Sequence, residues 1–293
     1  MSEALEKQEI KKDDTLTYQD KEKPTDNKAE NASCDTENKP ISCPEKKDEA
    51  TQNEEKKDSP VLLVEAKGLS KKYGSFEALK SIDLELPYGK IIGLLGPNGS
   101  GKTTFIKILA NILTKTKGEV KIDGLEVGTN TKAIVSYLPE RPYFNSWMTV
   151  EQCLKFFEEF YKDFDREVAE KMLLDLDIDK SRKLRTLSKG TKEKVQLILV
   201  MSRRAKLYLL DEPIAGVDPA ARDYILNTII STYNKEASVI ISTHLISDIE
   251  EVLDEYVFIR YGDIIEHSSI EKFKKEHDIS LDNHFREVFK YVR

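Results

Sequence analysis

The nine residues at positions 96–104 read GPNGSGKTT, and they constrain the fold more than any other stretch of the chain. They match the pattern G-x-x-x-x-G-K-[ST], in which the backbone N–H groups of a glycine-rich loop surround an anion. An apolar run at 90–95 predicts a buried strand before the loop, and apolar spacing from Thr104 predicts a helix after it. The N-terminus of that helix would add its positive dipole end. This order predicts an α/β chain that binds phosphate groups.

Every residue of this loop is a candidate nucleotide contact. The Lys102 ammonium would reach the β- and γ-phosphates, and the Thr103 hydroxyl would bind Mg²⁺. The predicted nucleotide contacts in the loop are Gly96, Pro97, Asn98, Gly99, Ser100, Gly101, Lys102, Thr103 and Thr104. A glycine-rich turn without a ligand is the alternative, and the predicted strand and helix on its two sides argue against it.

The first 60 residues differ from the rest of the chain. They contain 11 Lys, no Arg and 17 Asp or Glu, a net charge of −6, with almost no aliphatic residues. Such a segment buries too little apolar surface to offset chain entropy, and it lacks the apolar core of a secretory signal. We therefore predict a disordered acidic tail over 1–60 and an ordered body over 61–293, whose net charge is −1.

The composition of the chain argues against several kinds of function. No window approaches 18 consecutive apolar residues, so we expect no membrane span. The body has no broad basic excess, so nucleic acid is not expected as a partner. Cys34, Cys43 and Cys153 do not have the spacing of a disulfide framework or a zinc site. We expect a soluble, cytoplasmic protein.

Strands and helices are predicted to alternate along the body. Strands are predicted at 61–65, 82–86, 90–95, 118–124, 134–138, 207–210 and 238–242. Helices are predicted from Thr104, from Thr149 with the capping-box pair Thr149 and Gln152, over 166–176, from Pro219, between His244 and Leu253, and over 281–292. The alternation indicates a largely parallel sheet, and residues 140–205 indicate a helical insert.

Polar side chains at two strand ends would complete a phosphate site. Asp211 follows the apolar run at 207–210 and suits the metal side of the site. Glu212 beside it suits a general base or a water-orienting group. His244 follows the strand at 238–242, at the sheet edge where open α/β sheets bind ligands. A lone histidine is more often structural, so His244 by itself does not decide a function.

The body resembles an ATP-binding-cassette (ABC) ATPase, the nucleotide-binding subunit of an ABC transporter. The resemblance depends on five motifs in one order, and it covers 61–293 but none of the tail. The motifs are GPNGSGKTT (96–104), LSKGT (187–191), LYLLDEP (207–213), GVDP (216–219) and STH (242–244). The fold that it implies is a P-loop NTPase with a mainly parallel sheet, an N-terminal antiparallel β part and a helical insert.

Further roles follow from this resemblance alone. Tyr73 would stack on adenine, and His244 would contact the γ-phosphate and hold the attacking water. Ser188 and Gly190 would contact the γ-phosphate bound by a second copy of the chain or a related ATPase subunit, and Asp218 would line the seam. The resemblance thus implies a head-to-tail dimer that holds two ATP molecules, closes on binding them and reopens after hydrolysis.

Two positions depart from the common form of the family. The motif LSKGT has Lys189 and Thr191 where LSGGQ has Gly and Gln, while Ser188 and the second glycine are kept. Glu140 stands where Gln is common; its oxygen would still reach the Mg²⁺ shell, but an ionised carboxylate donates no hydrogen bond. Both departures are similar to a bacterial subset that includes efflux ATPases.

Three functions are compatible with this resemblance. The first is the energising subunit of a transporter, peripheral on the cytoplasmic face of the membrane, with a separately encoded permease docked near Glu140, Phe144 and Trp147. Core packing is the alternative for those two aromatic residues. The second is a non-transport ABC ATPase that acts in DNA repair or on ribosomes. Repair types have a very long coiled-coil insert between the glycine loop and the signature motif, whereas only 92 positions separate Gly96 from Ser188. Ribosome-acting types usually have two cassettes per chain, and one is present here, so both observations favour transport.

The third function is a regulatory module that binds nucleotide without turnover. It is disfavoured because Lys102, Asp211, Glu212 and His244 are all present.

Overall fold

The computed structural model of the chain describes residues 61–214, 219–232 and 236–290. The predicted tail over 1–60 and the predicted seam residue Asp218 lie outside the described residues.

The described residues form two β-sheets. The strands are β1 (Leu62–Tyr73), β2 (Phe76–Pro87), β3 (Ile91–Leu95), β4 (Lys117–Ile122), β5 (Leu125–Glu126), β6 (Val135–Leu138), β7 (Leu207–Asp211), β8 (Ser238–Thr243), β9 (Glu255–Arg260) and β10 (Asp263–Ser269). An antiparallel sheet has the order β2-β1-β4-β5, and a six-stranded sheet has the order β10-β9-β3-β8-β7-β6. The second sheet is parallel apart from the β9–β10 pair. The predicted α/β fold with an N-terminal antiparallel part is confirmed.

Eight helices accompany these strands in the described part of the chain. They are α1 (Lys102–Leu109), α2 (Val150–Phe160), α3 (Arg166–Asp175), α4 (Lys189–Met201), α5 (Pro219–Thr232), α6 (Ile246–Ile249), α7 (Ile270–Glu276) and α8 (Leu281–Val288). Short 3₁₀ turns lie at 130–133, 184–186 and 250–252. Helices α2, α3 and α4 all lie between β6 and β7 in the chain.

The central strands are buried along their whole length because both faces of the parallel sheet are covered. Every residue of β3, β7 and β8 is buried. Along β7, Tyr208 and Leu210 pack with the helical residues of one core, while Leu207 and Leu209 pack with α1 and the antiparallel sheet in a second core. Burial on both faces explains the continuous apolar runs that predicted these strands.

Local capping interactions fix where three helices begin. The Thr149 side chain accepts a hydrogen bond from the Gln152 N–H (3.2 Å), and the Gln152 side chain accepts one from the Thr149 N–H (2.8 Å), so the predicted capping box is confirmed. Asp165 caps α3 and Ser188 caps α4 with one hydrogen bond each, accepted from the N–H groups of Val168 and Thr191.

Several predicted boundaries differ from the structure. Strand β1 continues to Tyr73, well past the predicted end at residue 65. The segment after His244 is a four-residue helix followed by a 3₁₀ turn, so the prediction of one helix to Leu253 was wrong. The β9–β10 hairpin was not predicted, because its pairing with β3 is a contact between residues far apart in sequence. Among the described residues, no helix is long and apolar enough to cross a membrane.

Candidate active site

A cavity of about 460 Å³ opens beside the glycine loop. Its walls come from the β1–β2 hairpin, the loop before α1, and the ends of β6, β7 and β8. The lining residues are Tyr73, Phe76, Ala78, Asn98, Gly99, Ser100, Gly101, Lys102, Thr103, Thr104, Glu140, Glu212 and His244. The parallel pairing of β3 and β7 with β8 places the carboxyl ends of all three strands at this edge. Residues from five separate parts of the sequence thus meet in one space.

Two glycines of the loop have no room for a side chain. A Cβ on Gly96 would lie 2.3 Å from the carbonyl oxygen of Ile259, and one on Gly101 would lie 2.8 Å from that of Ala78. Gly101 also has φ of +117°, a conformation that disfavours other residues. The loop therefore keeps its shape because the neighbouring strands leave space for backbone only.

Lys102 is buried beneath the loop, with 6% of its surface exposed. Its Nζ donates to the carbonyl oxygens of Gly96 (2.7 Å) and Pro97 (3.3 Å) and lies 3.8 Å from Glu212 Oε1. Burial lowers the pKa of Lys102, and the nearby carboxylates of Glu212 and Asp211 act in the opposite direction. The loop carbonyl oxygens and these carboxylates thus hold the Lys102 ammonium at the floor of the cavity.

Thr103 and Asp211 form an oxygen pair next to this lysine. The Thr103 hydroxyl donates to Asp211 Oδ1 at 3.0 Å, and the Ser242 hydroxyl donates to the same oxygen at 2.6 Å. Burial raises the pKa of Asp211, while these two hydrogen bonds lower it. A carboxylate and a hydroxyl are hard oxygen ligands, and a buried carboxylate without a full counter-charge suits a divalent cation. The pair therefore fits Mg²⁺ whose remaining ligands are phosphate oxygens and water.

Glu212 and His244 face each other across the end of the cavity. His244 Nδ1 lies 3.1 Å from Glu212 Oε2 and 3.2 Å from Oε1. Glu212 has φ of +52°, a left-handed conformation that is uncommon for glutamate. Its N–H donates to the Ser242 carbonyl oxygen on β8 (3.0 Å). Strand β8 thus holds the strained backbone that directs this carboxylate into the cavity.

The remaining predicted residues lie at three different places. Glu140 is exposed and lines the cavity after the end of β6. Tyr73 is 48% exposed at the mouth. Ser188 and Gly190 begin α4 and do not line the cavity, and Ser188 is exposed. The structure therefore brings the loop, Glu140, Asp211, Glu212 and His244 together, and leaves Ser188 and Gly190 elsewhere on this chain.

Phe76 lines the cavity and was not predicted from the sequence. It is 62% exposed and pairs with Tyr73 across the β1–β2 turn. An aromatic residue on each side of Gly74-Ser75 is the signal that could have identified it, because a two-residue turn places its flanking residues opposite each other. The two rings offer apolar surface to a flat ligand at the cavity mouth.

Comparisons with known proteins agree on one family. A family model described as ABC transporter matches residues 79–215. The ABC transporter ATP-binding protein YdbJ of Bacillus subtilis, named as uncharacterized, is 35% identical over 211 residues, which cover 70% of this chain and 68% of that protein. The SkfA peptide export ATP-binding protein SkfE of the same organism is 28% identical over 222 residues, or 74% of this chain and 93% of that protein.

A solved structure described as the ATP binding subunit of an ABC transporter has the same fold. It superposes with a TM-score of 0.69 at 26% identity, over 77% of this chain and 99% of that one.

Proposed function

This chain belongs to the ABC transporter family of ATP-binding subunits, and we propose that it binds Mg-ATP in the 460 Å³ cavity and hydrolyses it to drive transport through a separately encoded permease. The observation that carries the proposal is the convergence of Lys102, Thr103 and Glu212 on one cavity, with Asp211 hydrogen-bonded to Thr103 behind its wall, although the loop and the carboxylates are about a hundred residues apart. Each of the four suits a different part of phosphoryl transfer.

In this proposal each side chain acts on a defined atom. Lys102 binds the β- and γ-phosphate oxygens. These charged oxygens are stronger hydrogen-bond acceptors than the Gly96 carbonyl oxygen to which Lys102 now donates. Thr103 and Asp211 hold Mg²⁺, which when bound neutralises charge on those phosphates. Glu212 accepts a proton from the water that attacks the γ-phosphorus, and His244 orients Glu212 and the γ-phosphate. Tyr73 and Phe76 stack on the adenine.

The site on one chain is incomplete, so we propose that a second copy completes it. Ser188 accepts a hydrogen bond from the Thr191 N–H and is exposed at the start of α4. The space beside Gly190 is open, because a Cβ built on this glycine would meet no atom within 4 Å. An open helix N-terminus of this kind suits a phosphate on another molecule. The partner is a second copy of this chain or a related ATPase subunit, in head-to-tail arrangement.

The helical insert offers a surface for the permease. Tyr143, Phe144, Phe156 and Phe160 form a connected aromatic surface, with ring centroids 4.4 Å apart for Tyr143–Phe144, 6.3 Å for Phe144–Phe156 and 4.5 Å for Phe156–Phe160. Phe144 packs partly against the core, whereas Phe160 is 64% and Trp147 59% exposed. Exposed aromatic clusters of this kind are typical of protein interfaces. We place the chain on the cytoplasmic face of the membrane and, from the name of SkfE, propose export.

Recovery of the partner tests this function. Tagged Glu212→Gln protein is captured with ATP from detergent-solubilised membranes, and we expect a stoichiometric protein with several membrane spans. Phe160→Asp added to that variant should abolish the recovery, whereas Ile112→Asp, at a residue 61% exposed on the α1–β4 connection, should not. Recovery of ribosomal or other soluble partners alone would overturn the proposed role in transport. It would not bear on ATP hydrolysis, which is tested separately.

A further inference from the structure

Buried polar atoms without a partner are concentrated at one place beside the candidate active site. Five buried side-chain oxygens of the described residues have no hydrogen-bond partner, and one of them, Ser100 Oγ, belongs to the glycine loop. The other four are Tyr137 Oη, Glu193 Oε2, Gln196 Oε1 and Asp211 Oδ2. Such atoms are rare in folded proteins and call for a physical explanation, of which a bound water or ion is the commonest.

Three of these atoms belong to residues that line a small cleft between α4 and the ends of β6 and β7. Glu193, Gln196 and Asp211 line it together with Pro139 and Glu140, and its volume is about 20 Å³. Helix α4 contributes Glu193 and Gln196, which lie three residues apart on one face. Gln196 is only 3% exposed. Its Nε2 donates to the Pro139 carbonyl oxygen (3.4 Å), which fixes the amide and leaves its Oε1 unpaired in the cleft.

Negative charge around the cleft exceeds positive charge. Glu140, Glu193, Asp211 and Glu212 all line it. The cations nearest to these carboxylates are Lys189, 3.7 Å from Glu193 Oε1, and Lys102, 3.8 Å from Glu212 Oε1. Neither lysine lines the cleft. Burial raises the pKa of Glu193 and of Asp211, as expected for carboxylates without a full counter-charge.

We propose that this cleft binds one monovalent metal cation, K⁺ or Na⁺, through Gln196 Oε1, Glu193 Oε2 and Asp211 Oδ2. The three unpaired acceptors outnumber the two hydrogens that a single water molecule could donate. A volume of about 20 Å³ holds one water-sized species, so Mg²⁺ with its retained water shell does not fit. Among the described residues, no three or more His, Cys, Asp or Glu side chains form a group that could bind a metal ion, so the Gln196 amide oxygen is needed as a ligand beside the two carboxylates. An amide oxygen combined with carboxylates therefore points to a weakly hydrated monovalent ion.

The cleft lies directly behind the active site. Glu140 and Glu212 line both the cleft and the nucleotide cavity, so a cation in the cleft would also fix the carboxylates that face the nucleotide. That consequence rests on the proposed function. The cation site itself does not, and it is tested without nucleotide.

Thermal unfolding in different chloride salts tests the site. Full-length protein without nucleotide, with EDTA present, is melted at equal ionic strength in KCl, NaCl or choline chloride. We expect a salt concentration of about 100 mM to be several-fold above the Kd of the cation. The Tm in KCl or NaCl should then be about 2–4 °C higher than the Tm in choline chloride. Gln196→Leu removes one ligand oxygen at similar volume and should abolish this difference. Equal Tm values of the unmodified protein in all three salts would overturn the proposal, with water then filling the cleft.

A second variant keeps the test decisive if Gln196→Leu fails to fold. Glu193→Gln removes the negative charge of one ligand and should narrow the Tm difference between K⁺ or Na⁺ and choline. Glu255→Gln is the matched control, because the side chains of Glu255 and Glu193 are both 15% exposed. This variant should keep the Tm difference between K⁺ or Na⁺ and choline that the unmodified protein shows. A thallium(I) soak should give an anomalous peak between Gln196 and Asp211. An unchanged difference in Glu193→Gln, or a peak elsewhere only, would contradict the site.

Discussion

Nδ1 of His244 lies 3.1 Å from Oε2 of Glu212, although 32 residues separate them in the chain. The other Glu212 oxygen lies 3.8 Å from Lys102 Nζ, so the carboxylate is held between a histidine and a buried cation. Adjacent strands β7 and β8 present the two side chains at the same edge of the sheet. In the proposed reaction, this arrangement suits Glu212 as the proton acceptor and His244 as the group that orients it.

Replacing Glu212 by Gln should separate ATP binding from hydrolysis. Glutamine keeps the shape and a hydrogen-bond acceptor but takes no proton, so we expect kcat to fall by about 10²- to 10⁴-fold with little change in ATP affinity. Phosphate release and the binding of a fluorescent ATP analogue measure the two effects. Turnover equal to that of the unmodified protein would remove Glu212 from this role.

Lys102→Ala should act on binding itself. The Lys102 ammonium is buried below the loop and would make charge-assisted hydrogen bonds to the phosphates, so its loss should weaken ATP binding by about 10- to 100-fold. Calorimetric titration with ATP measures the change. Lys107→Ala, one turn further along α1 and outside the cavity lining, is the control and should bind normally. Normal binding by Lys102→Ala would contradict the phosphate cradle.

Tyr73 and Phe76 should contribute comparably to nucleotide affinity. Both rings line the cavity mouth, and stacking on a base contributes about 1–3 kcal/mol per ring. Tyr73→Ala and Phe76→Ala should therefore each weaken ATP binding by about 5- to 150-fold. Their effect on inorganic triphosphate, which has no base, should be small. A loss of triphosphate binding as large as that of ATP would instead indicate that the hairpin had been disrupted.

Cys153 should be unreactive in the folded protein. It is fully buried on α2, and burial raises the pKa of its thiol from 9.0 to about 12. The neutral thiol is thus favoured by folding, and the stability that it contributes is present below pH 9 and is lost as the pH rises toward 12. At pH 8 the thiolate fraction should be about 1000-fold below that of an ordinary thiol.

A variant with Cys34→Ser and Cys43→Ser isolates this thiol. It should react with a chromogenic disulfide reagent only after denaturation, releasing one equivalent. Rapid reaction of the native protein at pH 8 would show that α2 does not pack as described.

Several elements were predictable because their causes are local in sequence. The apolar runs before Gly96, Asp211 and Thr243 predicted strands that are buried on both faces. The Thr149–Gln152 pair predicted the start of α2, because both hydrogen bonds of a capping box join residues three positions apart. The boundaries were less predictable. Strand β1 extends to Tyr73 because β2 and β4 pair with it, and no local pattern records those partners.

The sequence by itself determined the chemical groups of this protein: a glycine loop with a lysine and a threonine, an Asp-Glu pair after a buried strand, and a histidine after another. Tertiary structure decided which of them meet. The strand order β3-β8-β7 brings the Thr103 hydroxyl within 3.0 Å of Asp211, 108 residues away, and the β9–β10 hairpin leaves Gly96 no room for a side chain. It also placed Phe76 at the cavity mouth and gathered the unpaired oxygens of α4 and β7 around one cleft. Such contacts arise from the pairing and packing of distant segments. The apolar pattern of one segment shows that it is buried, but it does not identify the segment that packs against it.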